Sequence, residues 1–254
     1  MPQQYLGYRG YFIEGIHVGG ALGRGGFAEV FRGKFIDEGE ENLVLKIYVG
    51  EDSEQHRIHE AAFFDTILKL PSNPPWRSHV PSLLSHGQQL YTTDLTPVNI
   101  FVPIGSPIQP APAGVYTSGI DMAKLVLILQ GVHSLGIIHC DIKPANIFKY
   151  QDYIFLNDWG CWRKASTEAY PFIESPTAFA GDPHSFIASA TYDLISLVKT
   201  CYTFVTKEYP TEPYNSFWDN VEQKSAKIRG VAFPLARKCD YGELANFLLQ
   251  IKPN

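Results

Sequence analysis

Paired cysteines, a basic excess and long apolar runs are all missing from this 254-residue chain. Its four cysteines, Cys140, Cys161, Cys201 and Cys239, show no CxxC spacing. That argues against a disulfide scaffold and for free thiols in a reducing, intracellular setting. Lys and Arg number 21 against 26 Asp and Glu, a formal net charge of -5, which gives no sign of the clustered positive surface that nucleic acid or an anionic membrane requires. The longest apolar stretch, around Leu125 to Leu129, is far shorter than a bilayer span. Met1, Pro2, Gln3 and Gln4 open the chain without a basic region followed by an apolar one, so no signal peptide is expected. The histidines are dispersed. His56 and His59 fit one helical face but have no Cys or carboxylate at metal spacing, so no metal site is expected from them. Internal repeats and low-complexity tracts are absent too.

What is present reads as globular. Hydrophobic residues make up 45% and charged ones 19%, the reverse of a disordered chain, and the length suits one large domain or two small ones sharing a core. Ile16 to Gly23, Ala28 to Phe35 and Asn42 to Val49 are predicted strands, rich in Val, Ile, Leu and Phe and separated by glycine or acidic turns. A helix is predicted over 53–70, with Ile58, Ala61, Ala62, Phe64, Ile67 and Leu68 at helical spacing after Glu51, Asp52 and Ser53. Pro71, Pro74 and Pro75 end it. Short strands are expected near Ser82 to Ser85 and Gln89 to Asp94. The five prolines between Pro97 and Gly114 mark a connector, part of it extended. Beyond it the pattern turns helical: Ser118 to Leu135, with Ile120, Ala123, Leu125, Leu127, Ile128 and Val132 facing inward, then Thr191 to Val205, Tyr214 to Ala226 and Tyr241 to Ile251. The outline is a strand-rich first lobe (about 11–95), a hinge and connector (95–117) and a helical second lobe (118–254).

Chemistry concentrates in His139-Cys140-Asp141-Ile142-Lys143-Pro144-Ala145-Asn146. A carboxylate, an ammonium and an amide at offsets zero, two and five are what phosphoryl transfer needs: an acceptor for the attacking hydroxyl, a cation for the moving phosphate and an oxygen ligand for magnesium. Upstream, Gly23-Arg24-Gly25-Gly26-Phe27-Ala28-Glu29-Val30 lies between two predicted strands. Glycines there let the backbone close over phosphates and present its amides. Lys46 stands inside the apolar strand Leu43-Val44-Leu45-Lys46-Ile47, a costly place for a charge unless phosphate and a carboxylate meet it. Downstream, Asn157-Asp158-Trp159-Gly160 follows the predicted strand Tyr153 to Leu156.

In this order the motifs resemble those of the eukaryotic-type protein kinases, over roughly Ile16 to Val205 with Tyr241 to Ile251 a fainter match. The resemblance implies an α+β, two-lobed protein-kinase-like fold, with an antiparallel sheet and one helix in the first lobe and a mostly helical second lobe. It implies ATP and Mg2+ as cofactors and a protein substrate, with a regulatory protein partner possible and no nucleic acid or membrane partner. Asp141 becomes the base, Lys143 the γ-phosphate cation, and Asn146 and Asp158 the magnesium ligands. Lys46 becomes the α/β-phosphate lysine, paired with Glu60, with Glu54 the other candidate. Leu22, Gly23, Gly25, Gly26 and Val30 would cover the nucleotide, Leu45 and Ile147 or Phe148 would complete the pocket walls, Thr93 would be the gatekeeper, and the backbone of Asp94 to Thr96 would face the adenine edge. Ser175 and Asp182 would take activation-segment positions, Asp182 pairing with a C-lobe arginine, Arg237 the candidate, and Asp193 would cap the catalytic-loop backbone. Lys143 favours Ser/Thr over tyrosine as acceptor.

Three positions depart from the family pattern. Ala28 stands where the last glycine usually lies, Trp159 replaces phenylalanine, and Cys140 replaces the catalytic-loop arginine, which implies activity independent of loop phosphorylation, for example at Thr167. After Asp193 only about two helices fit before Asn254, a shortened C-lobe. Two alternatives stay open: a pseudokinase acting as a binding scaffold, and a small-molecule phosphotransferase of the same fold.

Overall fold

The computed structural model describes residues 16–36, 43–70, 74–88, 97–102, 106–107, 118–150, 153–167, 179–181, 187–212 and 214–251. The described residues within 1–72 and 81–104 form one compact unit, and those within 73–80 and 105–254 form a second. The class is α+β.

In the first unit, β1 (Ile16–Arg24), β2 (Ala28–Phe35), β3 (Leu43–Tyr48), β4 (Ser82–Gln88) and β5 (Pro97–Val102) build a sheet in the order β1-β2-β3-β5-β4, with every described pairing antiparallel. The two-residue period of a strand sorts side chains onto two faces. Leu43, Leu45 and Ile47 of β3 join Ile16, Val18, Phe31, Val98 and Ile100 in a buried cluster. Val44 and Lys46 therefore lie on the other face, with Val30, Asn99 and Phe101 beside them in register. Helix α1 (Ser53–Leu68) buries Arg57, Glu60, Ala61, Phe63, Phe64 and Ile67, and the Phe64 ring meets that of Phe101 with centroids 5.2 Å apart. Ile58 and Leu68, expected to face inward, are 52% and 62% exposed; the buried stripe is centred on Glu60 and Phe64 instead.

The connector expected over Pro97 to Gly114 is corrected at its start, where Pro97–Val102 is a central strand bonded to both β3 and β4. Pro97 sits at the strand's first residue, where its missing N–H costs the ladder least. The strand expected at Gln89 to Asp94 lies outside the described residues.

The second unit opens with a 3-10 turn, Pro75–His79, and carries β6 (Ser106–Pro107), β8 (Ile147–Tyr150) and β9 (Tyr153–Leu156) in a three-stranded sheet ordered β6-β8-β9. A second ribbon pairs β7 (Ile137–Ile138) with β10 (Arg163–Lys164). Helix α2 (Gly119–His133) starts in a capping box: Ser118 Oγ accepts from Asp121 N, and Asp121 Oδ2 accepts from Ser118 N, both at 3.2 Å. Its core face is Met122, Leu125, Val126, Ile128, Leu129 and Val132, whereas Ile120 and Leu127 are 58% and 51% exposed. Gly119 is required by close packing, because a Cβ there would lie 2.6 Å from the Leu249 carbonyl oxygen.

Helix α3 (Ala190–Thr206) is buried along most of its length, and α4 (Tyr214–Lys224), a π-helical turn (Ile228–Ala232), α5 (Phe233–Arg237) and α6 (Tyr241–Leu249) follow. The π turn and α5 were not anticipated, since Pro234 in a short segment masks helical periodicity; it sits in the first turn of α5, where proline is tolerated. Among the described residues no helix is long and apolar enough to cross a membrane.

Candidate active site

Within the second unit the loop after β7 is held by a single carboxylate. Asp193, fully buried near the start of α3, accepts from His139 N at 2.7 Å and Cys140 N at 2.9 Å, as expected for a cap on this loop. His133 Nε2 lies 2.9 Å from the same carboxylate, and its Nδ1 lies 2.7 Å from Tyr241 Oη. These bonds over-determine a strained backbone: Cys140 has a φ of 66°, in the left-handed region that non-glycine residues avoid.

His139 ties the loop to the segment after β9. Its Nε2 donates to the Asn157 carbonyl at 3.0 Å and its Nδ1 accepts from Asp141 N at 3.2 Å, so the hydrogen bonds assign the Nε2–H tautomer. Its ring packs on the buried Trp159, centroids 4.4 Å apart. Trp159 is fully buried and donates through Nε1 to Leu156 O at 3.0 Å, so its extra bulk relative to phenylalanine is accommodated with its polar atom satisfied. Asn157 N also donates to Asn146 O at 2.9 Å.

Asp141, Lys143 and Asn146 come together on this frame. Lys143 Nζ lies 2.7 Å from Asp141 Oδ2, and Asn146 Nδ2 donates to Asp141 O at 2.8 Å and to Oδ2 at 3.0 Å. Burial raises the Asp141 carboxyl above its ordinary 3.8; the Lys143 ammonium pulls it back and the Asp158 carboxylate pushes it further up. Burial would lower Lys143, but the Asp141 carboxylate outweighs this and leaves it raised. Asp158 stands in the left-handed region at φ 59° and acts electrostatically on both groups. The Cys140 thiol is pushed far up by burial and by the Asp193 carboxylate, so it is no ready thiolate.

In the first unit Lys46 Nζ lies 3.0 Å from Glu60 Oε1. Glu54, the other candidate, is committed elsewhere: its carboxylate takes Arg57 at 2.7 and 2.9 Å. Tyr48 Oη donates to Glu60 Oε2 and accepts from Asn99 Nδ2 at 2.8 Å. Sequence reasoning missed both. Asn99 carried a signal, a lone polar residue inside Val98-Asn99-Ile100-Phe101; Tyr48 carried only its two-residue offset from Lys46.

Gly23 lies near the end of β1, paired with Val30, and Gly25 and Gly26 fall at the β1–β2 turn, closed by Gly25 N to Ala28 O at 2.8 Å. A Cβ on Gly23 or Gly26 would meet nothing within 4 Å and one on Gly25 only the Ala28 oxygen at 3.8 Å, so their bareness is not demanded by packing inside the unit. Leu22, at 40% exposure, lies near the end of β1, and Val30 pairs with Lys46 across the ladder. Leu45 is corrected: it points into the opposite, buried face. Thr93, Asp94 and Thr96 lie outside the described residues. The described strand that follows β4 in the chain is β5, ending at Val102.

Ser175 and Asp182 also fall outside the described residues. Arg237, the suggested partner of Asp182, is 2.9 Å from Glu222. The described segment 179–181 is held instead by Lys199 of α3, which donates to Ala180 O at 2.5 Å and sits 5.4 Å from the Trp218 ring.

Comparison with known proteins enters on this geometry. The chain is similar to the serine/threonine-protein kinase RUNKEL of Arabidopsis thaliana, 36% identical over 100 residues covering 34% of this chain and 7% of the relative. It is similar to serine/threonine-protein kinase F of Synechocystis, 27% identical over 127 residues covering 47% and 26%. Similarity extends to ROP18 of Toxoplasma gondii, a serine/threonine-protein kinase, 31% identical over 105 residues covering 38% and 18%. These matches support a protein-kinase family. The chain spans about a quarter or less of each of these relatives' lengths, and no family model matches it. A kinase-type enzyme is thereby supported in general terms.

Proposed function

We propose that this chain transfers the γ-phosphoryl group of ATP to serine or threonine hydroxyls of protein substrates. The observation that carries the reading is the Asp141–Lys143–Asn146 constellation: a carboxylate with a cation at 2.7 Å and an amide that fixes its orientation. In the proposed reaction Asp141 orients the substrate hydroxyl and accepts its proton, while Lys143, beside it, balances charge on the transferred phosphoryl group. Positioning and charge placement supply most of the catalysis in this chemistry.

The donor set fits a magnesium nucleotide. Asn146 spends its amide nitrogen on Asp141, which leaves its amide oxygen, with the Asp158 carboxylate, as hard oxygen ligands. Among the described residues no three His, Cys, Asp or Glu side chains form a metal group. That suits an ion held by one or two protein oxygens together with the nucleotide's phosphates. When bound, the ion neutralises developing phosphate charge. Lys46, oriented by Glu60, would hold the α and β phosphates, and Leu22, Gly23, Gly25, Gly26 and Val30 would cover the nucleotide. Lys143 favours Ser/Thr acceptors over tyrosine.

The test uses purified chain, labelled ATP and magnesium, alone and with generic protein substrates, beside Asp141→Asn and Lys46→Met. Transfer to protein that both substitutions abolish is the expected result. Nucleotide binding without transfer would establish a scaffold, and label appearing only on a small metabolite would establish a small-molecule phosphotransferase.

A further inference from the structure

We propose that Tyr48 and Asn99 are positioning residues that clamp the Lys46–Glu60 pair, so that α1 is held in its pairing position by the sheet it packs on. The proposal rests on the phosphotransfer reading and names how that site is kept assembled.

Strand alternation places Tyr48 on the same face as Lys46, and the β3–β5 register sets Asn99 directly beside Lys46. Both carboxylate oxygens of Glu60 are then used separately, Oε1 by Lys46 Nζ at 3.0 Å and Oε2 by the Tyr48 hydroxyl. Tyr48 spends its proton on Glu60 and its lone pair on Asn99 Nδ2. Asn99 Nδ2 also lies 3.4 Å from Glu60 Oε2 and 3.5 Å from Arg57 O. The amide orientation is thereby set, since a flip would turn its carbonyl against a carboxylate and another carbonyl.

Tyr48, Glu60 and Asn99 are at most 2% exposed, so α1 cannot swing away without stranding buried polar groups. Asn99 Oδ1 is itself buried with no hydrogen-bond partner among the described residues. Stability alone favours an apolar side chain there, as at its neighbours Val98 and Ile100. The return on that cost lies on the Nδ2 side, toward Glu60. A second tether adds to the first: one turn before Glu60, Arg57 Nη1 lies 2.9 Å from His86 Nδ1 of β4.

Tyr48→Phe, which removes one oxygen and keeps the ring, is measured in the full chain with Mg-ATP and a protein substrate. The expected result is a kcat about tenfold lower with a smaller change in KM for ATP. The loss should vanish when the substitution is made in a Glu60→Gln background, because both changes then break one interaction. Hydrogen exchange is read alongside without nucleotide, and amides of α1 should exchange about tenfold faster while those of β1 and β2 keep their wild-type rates. Asn99→Asp, which sets a second carboxylate beside Glu60, should lose more than Asn99→Ala; this pair is read in the same way if Tyr48→Phe does not fold. An equal loss in the Glu60→Gln background, unchanged α1 exchange, or uniformly faster exchange across the unit would overturn the clamp. A wild-type chain that transfers no phosphate removes the phosphotransfer reading, and the exchange measurement still decides whether Tyr48 and Asn99 hold α1.

Discussion

Asp141 is the residue on which the proposed chemistry turns, and its environment sets the pH response. Burial, with Asp158 adding to it, holds its carboxyl above the ordinary 3.8, and Lys143 opposes that rise. A base must be ionised to accept a proton, so transfer should be lost as pH falls through this raised value. Lys143→Met removes the opposing cation, so the acid limb of the kcat/KM profile should move to higher pH while the rate falls; an unmoved limb would show that Lys143 does not act on Asp141. Asp141→Asn should lower kcat by about 100-fold or more without a lower melting temperature, measured by single-turnover transfer and thermal unfolding. At this scale the sequence was most informative. Asp141, Lys143 and Asn146 lie within six consecutive residues, so a short loop almost fixes their proximity, and Glu60 was already expected ahead of Glu54 as the partner of Lys46, which it meets at 3.0 Å.

Single elements carry the next level of control. Helix α3 delivers Asp193 into the back of the loop after β7, where it satisfies two backbone N–H groups and holds Cys140 in a left-handed conformation. Asp193→Ala leaves those donors buried and unanswered, which should cost about 3 kcal/mol and reduce transfer even well below the melting temperature. Farther along the same helix, Lys199 holds Ala180 O and stacks over Trp218. Lys199→Met keeps the bulk and drops the donor, so about 1–3 kcal/mol should be lost, read from denaturant midpoints at constant m-value. The helices were legible as elements because their apolar periodicity is long. Their facing was less so: Ile120 and Leu127 read as core and are exposed, since α2 is apolar on nearly every side and its sequence does not say which side α3 and α6 will cover. Strand β5 escaped for the opposite reason, because Pro97 and the prolines after it outweighed a short run whose apolar residues are broken by Asn99.

Two compact units each hold candidate residues of their own, Lys46 with Glu60 in one and Asp141, Lys143, Asn146 and Asp158 in the other. In each unit the key groups are held by internal bonds, through Tyr48 and Asn99 in the first and Asp193 and His139 in the second. Cys140 puts a neutral thiol where the kinase pattern it resembles carries an arginine. Phosphatase treatment of the purified protein should therefore leave the transfer rate unchanged, and a large loss would show that a loop phosphate is needed. The sequence by itself determined the class of fold and the grouping of Asp141, Lys143 and Asn146, because both depend on local order: apolar periodicity, turn residues and charges a few positions apart. Only the tertiary structure decided which face of β3 is the core and which side chains hold α1. Those outcomes depend on strand register and helix rotation, and a shift of one residue in either reverses them.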